Sequence, residues 1–107
     1  MKRYGAIIKV KPEKLEEYRQ LHANPWPEVL QMIHACNIRN YSIYLIDDLL
    51  FSYFEYIGSD YSADMAKMAA DPTTQAWWRL TDPCQEGHPS RKPGEWWAAM
   101  QEVFHAE

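Results

Sequence analysis

The stretch Asn40-Tyr41-Ser42-Ile43-Tyr44-Leu45-Ile46-Asp47-Asp48-Leu49-Leu50-Phe51-Ser52-Tyr53-Phe54-Glu55-Tyr56-Ile57 decides the fold. Residues 40–46 alternate, with Tyr41, Ile43 and Leu45 on one side and Ser42, Tyr44 and Ile46 on the other, which is the two-residue period of a strand. Leu49 to Ile57 is equally rich in strand formers, and Asp47-Asp48 between the two runs suits a tight turn. Together they predict a β-hairpin in the middle of the chain. Large side chains stand on both faces of both strands. A sheet that is apolar on both sides has to be covered on both sides. Helices cover one face; the other predicts the sheet of a partner subunit, and so a homodimer.

On the N-terminal side of the hairpin, Tyr4 to Val10 reads as a strand with Tyr4, Ala6, Ile8 and Val10 on one face and Ile7 on the other. Lys11-Pro12-Glu13 opens a helix, with Pro12 suited to the first turn and Glu13, Glu16 and Glu17 complementing the positive end of the helix dipole. Asn24-Pro25 and Trp26-Pro27 then bend the chain, because proline cannot continue a backbone ladder and pushes its predecessor toward extended geometry. Pro27 starts a second helical piece whose Val29, Leu30, Met32 and Ile33 form a buried stripe closing near Asn37.

On the C-terminal side, Gly58-Ser59-Asp60 offers a cap for a helix carrying Tyr61, Met65, Met68 and Ala69. Asp71-Pro72 ends it and restarts a short helix through Gln75 to Leu80, stopped by Asp82-Pro83. Pro83 to Glu95, with three prolines and two glycines, predicts a surface loop, and Met100 to His105 a closing strand. The order β-α-β-β-α-β is that of an α+β, ferredoxin-like plait, here pairing into a dimeric α+β barrel.

The 107 residues leave room for a single domain, 1–107, with one core. Apolar residues at 47% and charged residues at 24% exclude a disordered chain. The net charge of -4, with Lys and Arg scattered singly, provides no basic stripe for nucleic acid and no basic face for a membrane. Cys36 and Cys84 lack the close spacing of a metal knuckle or redox pair and read as free thiols in a reducing compartment. The N-terminus enters a strand without a signal-peptide pattern, and no apolar run approaches the roughly 20 residues of a bilayer crossing. A cytoplasmic location is therefore expected. Five Trp and seven Tyr exceed what one small core absorbs, since indole N–H and phenol O–H groups need partners when buried. Some should line a pocket or an interface.

Leu15 to Glu28 carries the chemistry. Tyr18 and His22 are four residues apart, so on a helix they lie one above the other, on the face that Leu15 shares. An imidazole beside a phenol on an inward face makes a proton-transfer pair. Taken singly, His22 reads as a structural histidine at a helix end, Trp77-Trp78 as core or subunit contact, and Tyr41 as sheet packing as readily as ligand contact. The chain has no glycine-rich phosphate loop, metal-ligand spacing or nucleophile elbow, so no cofactor and no metal are expected.

Glu17-Tyr18 followed by His22, Trp26-Pro27-Glu28, Asn40-Tyr41-Ser42-Ile43-Tyr44, Leu50-Phe51, Gln75-Ala76-Trp77-Trp78 and Gln101-Glu102-Val103-Phe104 are landmarks in order over nearly the whole chain. In these the sequence resembles the L-rhamnose mutarotases, a small, dimeric, ferredoxin-like family. The resemblance implies interconversion of the α and β anomers of a 6-deoxy-hexose, with His22 as proton donor and substrate contacts from Tyr18, Tyr41, Trp77 and Trp78. The partner base stays open between a tyrosine, a carboxylate such as Glu28 and a bound water. Arg91 to Ala99 is a Trp-rich stretch outside the landmarks. L-fucose or another deoxy sugar is the near alternative substrate; a dimeric α+β barrel monooxygenase or haem-handling protein, or a non-catalytic binding module, are rivals on the same architecture.

Overall fold

The computed structural model describes residues 1–107. The first strand, β1, is Lys2–Val10, two residues longer than the alternation predicts. Pro12, which has no N–H to offer, opens a 3-10 turn, Pro12–Lys14, that runs into α1, Leu15–Ala23. Asn24 leaves helical geometry, and Pro27 restarts the chain as the first residue of α2, Pro27–Ala35. The bend expected after His22 is therefore present. Next comes the hairpin, β2, Ile38–Ile46, and β3, Leu49–Tyr56, turning at Asp47, whose φ of 53° lies in the left-handed region that a short polar side chain tolerates. Asp60 accepts a hydrogen bond from the Ala63 N–H at 3.1 Å and starts α3, Tyr61–Ala70. Asp71 accepts from the Thr74 N–H at 2.9 Å and starts α4, Pro72–Thr81.

The C-terminal quarter departs from expectation. Within the predicted loop, a 3-10 turn at Asp82–Cys84 leads into a two-residue strand, β4, Gln85–Glu86, paired with Lys9 and Val10. The closing strand is not Met100 to His105 but β5, Ala98–Met100, paired with Gly5 to Ile7. The register that sets Met100 on Gly5 would place Val103 opposite Lys2, the first residue of β1, so Phe104 and His105 have no edge to pair with. Past Met100 the backbone pairing gives way to a side-chain contact: Arg3 clamps Glu102 through two bonds of 2.8 and 2.9 Å, while Val103 and Phe104 stand almost fully exposed.

The sheet order is β2-β3-β1, with β4 and β5 sharing the outer edge of β1 and every pair antiparallel. This is the ferredoxin-like plait, its fourth strand broken in two by residues 87–97. A bulge interrupts β2. Arg39 pairs with Glu55 and Ser42 with Tyr53, so Asn40 and Tyr41 together face Phe54, with Asn40 absorbing the extra residue at φ 53°. The bulge brings Ile38 onto the face of Tyr41, Ile43 and Leu45. That face, shared with Ala6, Ile8, Leu50 and Phe54, takes the helices.

Two buried groups form there: Ile8, Val10, Tyr18, Leu50 and Cys84 at one end, and Cys36, Ile38 and Met68 at the other. The opposite face holds Ile7 and Phe51, half-buried, and Tyr44 and Ile46, which are 66% and 60% exposed. No helix is long and apolar enough to cross a membrane.

Candidate active site

Tyr18 is buried in the core at the middle of α1, and one helical turn on, the His22 ring stacks against it with centroids 4.2 Å apart. His22 Nδ1 lies 2.9 Å from the Tyr18 carbonyl oxygen. A carbonyl can only accept, so Nδ1 carries the hydrogen and the neutral ring keeps its lone pair on Nε2. Nε2 has no hydrogen-bond partner within the chain.

Other elements bring the remaining walls. The Trp77 edge, from α4, meets His22 at 5.5 Å, and Trp26, returned by the proline bend, meets Trp77 at 5.3 Å. Gln85, from β4, donates through Nε2 to the Tyr18 hydroxyl at 3.2 Å, and Trp96 Nε1 donates to Gln85 Oε1 at 2.9 Å. Burial pushes the Tyr18 phenol well above its ordinary range, against a smaller opposing effect of the Gln85 hydrogen bond.

Of the residues singled out from sequence, Tyr18, His22 and Trp77 come together here. Tyr41 reaches the same sheet face, its ring against Phe54 at 5.5 Å, in an aromatic row continued by Tyr4 and Tyr61. The residue as a whole is 41% exposed, yet desolvation of the phenol end pushes it up to about 12. It is also close enough that a charge on it raises the Tyr18 phenol further. Trp78 comes about 100° round the helix from Trp77 and is 36% exposed, stacked on none of these rings. Glu28, on the first turn of α2, is exposed and makes no side-chain hydrogen bond. Trp26, Gln85 and Trp96 were not legible as site residues. Only the Trp-rich character of 91–99 hinted at the last.

No three His, Cys, Asp or Glu side chains approach closely enough to hold a metal ion. Two hollows of the chain lie elsewhere: about 570 Å³ along Pro89 to Glu95, and about 370 Å³ between Tyr4, Tyr53 and Phe104.

Residues 3–106 match the family model of L-rhamnose mutarotase. The chain belongs to the L-rhamnose mutarotase family. It is 33% identical to the L-rhamnose mutarotase of Oceanobacillus iheyensis over 107 residues, covering 100% of both chains. Identity to the family member of Bacillus subtilis is 31%, again over 107 residues and 100% of both. Among solved structures it superposes on the L-rhamnose mutarotase of Formosa agariphila with a TM-score of 0.78 at 21% identity, and on tetracenomycin F2 cyclase of Streptomyces glaucescens with 0.70 at 12%, covering 100% of each chain. These likenesses in structure establish the fold; membership of the mutarotase family rests on the sequence match.

Proposed function

We propose that the chain is a mutarotase interconverting the α and β anomers of L-rhamnose, an isomerase of the aldose class. The observation that carries the reading is the pinned His22 ring, with Nδ1 committed to the Tyr18 carbonyl and Nε2 without a partner. Mutarotation needs one proton delivered to the ring oxygen and another taken from the anomeric hydroxyl. His22, as the imidazolium with a hydrogen on each nitrogen, supplies the first from Nε2 and is left as the neutral ring with its hydrogen on Nδ1; the second goes to water, directly or relayed through the Tyr41 hydroxyl, and water gives one back on reclosure. The bond from C1 to the ring oxygen then breaks, the open aldehyde turns its carbonyl face, and reclosure returns the proton to Nε2. Positioned proton transfer of this kind is worth about 10²–10⁴-fold.

The ring set suits the substrate. A 6-deoxy-hexose has an apolar patch of methyl and ring C–H groups, which indoles match, and hydroxyls, which phenols answer. Trp77 forms the wall beside His22, Trp78 the outer contact, and Tyr18 and Tyr41 bond sugar hydroxyls. Two copies pair through the apolar sheet face of Ile7, Tyr44, Ile46 and Phe51, which the chain's own helices leave open. The buried, unbridged thiols of Cys36 and Cys84 suit the reducing cytoplasm.

Anomer exchange followed by magnetisation-transfer NMR across L-rhamnose, L-fucose and L-mannose tests the assignment. Faster exchange of L-rhamnose than of the others supports it. No acceleration of any sugar at enzyme concentrations that saturate binding refutes it.

A further inference from the structure

Tyr18, Gln85 and Trp96 come from α1, β4 and the loop that breaks the fourth strand, and they form one directed chain of hydrogen bonds. Its direction is set at the outer end. An indole N–H has no acceptor capacity, so the atom of Gln85 that faces Trp96 Nε1 at 2.9 Å must be the carbonyl oxygen. The amide is then held in one of its two orientations, with its NH₂ aimed at the Tyr18 oxygen 3.2 Å away. Tyr18 therefore accepts from Gln85, and its own hydrogen is left to be given elsewhere. No protein acceptor takes it: the only side-chain bond at this hydroxyl is the one from Gln85.

We infer that Gln85 and Trp96 are positioning residues, which set the Tyr18 hydroxyl as a hydrogen-bond donor to a sugar oxygen. This rests on the proposal that Tyr18 touches the substrate. The design makes chemical sense beside His22. A phenol free to rotate could accept from a sugar hydroxyl or donate to it. One whose lone pair is already engaged answers best an oxygen that gains electron density as the ring opens. Burial raises the Tyr18 phenol, so the group stays protonated and available to donate.

Substitutions at both positions, each made in the wild-type and in the Tyr18→Phe background, are compared by kcat and KM for L-rhamnose anomer exchange. Gln85→Glu keeps the shape and the bond from Trp96, yet turns the inner atom into an acceptor that draws the Tyr18 hydrogen away. It is expected to lower kcat roughly tenfold or more. Trp96→Phe keeps a ring on an exposed part of the loop but frees the amide to turn, for an expected loss of about threefold to tenfold in kcat. Because Trp96 is at the surface, this variant serves if a carboxylate buried at 85 prevents folding.

In the Tyr18→Phe background both losses should shrink to within about twofold, since the hydroxyl through which they act is gone. Equal losses in the two backgrounds, or variants within about twofold of wild type with Tyr18 present, overturn the positioning role. If Tyr18→Phe alone exchanges L-rhamnose as fast as wild type, the failure lies instead in the assignment of Tyr18 as a substrate contact, and the positioning role falls with it.

Discussion

The His22 Nδ1 sits 2.9 Å from the carbonyl oxygen of Tyr18, one helical turn back along α1. This contact decides which nitrogen of the ring is available for chemistry. In neutral His22 the hydrogen belongs on Nδ1 and the lone pair on Nε2. Nitrogen-15 shifts from a long-range proton–nitrogen correlation spectrum above neutral pH should show the Nδ1–H form dominant. A ring protonated mainly on Nε2 contradicts the geometry and the proton path built on it.

The open sheet face sets the second expectation. Tyr44 and Ile46 project from β2 on the side away from the helices, so in a face-to-face pair they lie at the interface. Light scattering at micromolar concentration should give twice the 12.6 kDa of one chain. Replacing both residues by Glu sets unpaired charges in that interface, each costing on the order of several kcal/mol, and should yield monomers. A wild-type monomer, or an unchanged dimer in the double variant, contradicts the face-to-face pairing.

Acid should loosen the fold through Asp64. Its carboxylate accepts from the Tyr56 hydroxyl at 2.5 Å and the Asn37 amide at 3.0 Å, and these bonds hold it below its ordinary value of 3.8. A group whose value is depressed on folding adds stability above its unfolded value, and that stability is lost as pH falls through the folded one. Glu55 and Glu102 are lowered likewise, by Tyr53 and Arg3 first, whereas burial raises Asp82 and works in the opposite sense. Thermal unfolding of wild type and Asp64→Asn isolates the one group: their difference in midpoint should narrow as pH drops below about 4. A difference independent of pH contradicts this.

Both thiols should be inert in the native protein. Cys36 and Cys84 are fully buried, and burial pushes the Cys84 thiol up to about 11, helped by the Glu17 carboxylate beside it. The thiolate is the reactive form, so iodoacetamide at pH 8 should label neither residue until urea unfolds the chain. Rapid labelling of Cys84 in the folded state would show that end of the core to be open.

Much of this fold was legible because the hairpin speaks twice, through alternation and through its Asp-Asp turn. The face assignments of Tyr41, Ile43 and Leu45 hold in the structure, as do the cap at Asp60 and the helix break and restart at Asp71-Pro72. The bulge at Asn40 was not legible, since a local period carries no count of the residues on the partner strand. The tail misled for a related reason. Val103 and Phe104 look like strand residues, but backbone pairing stops at Met100, Phe104 lies past the start of β1, and both stand exposed.

At the site, the Tyr18–His22 stack is a consequence of four-residue spacing, whereas Gln85 reaches Tyr18 only because β4 docks on Val10, 67 residues away in sequence from its phenol partner. Trp26 was visible as part of a proline bend. Its contact with Trp77 needed the bend's actual angle.

The most direct measurement is the rate of L-rhamnose anomer exchange, by magnetisation-transfer NMR, for wild type against a folded His22→Ala variant. Loss of the imidazole, whose protonated form gives the proton from Nε2, should lower the catalysed rate by about 10²–10⁴-fold, toward that of the sugar in buffer. A variant that exchanges the anomers as fast as wild type contradicts the central role given to His22.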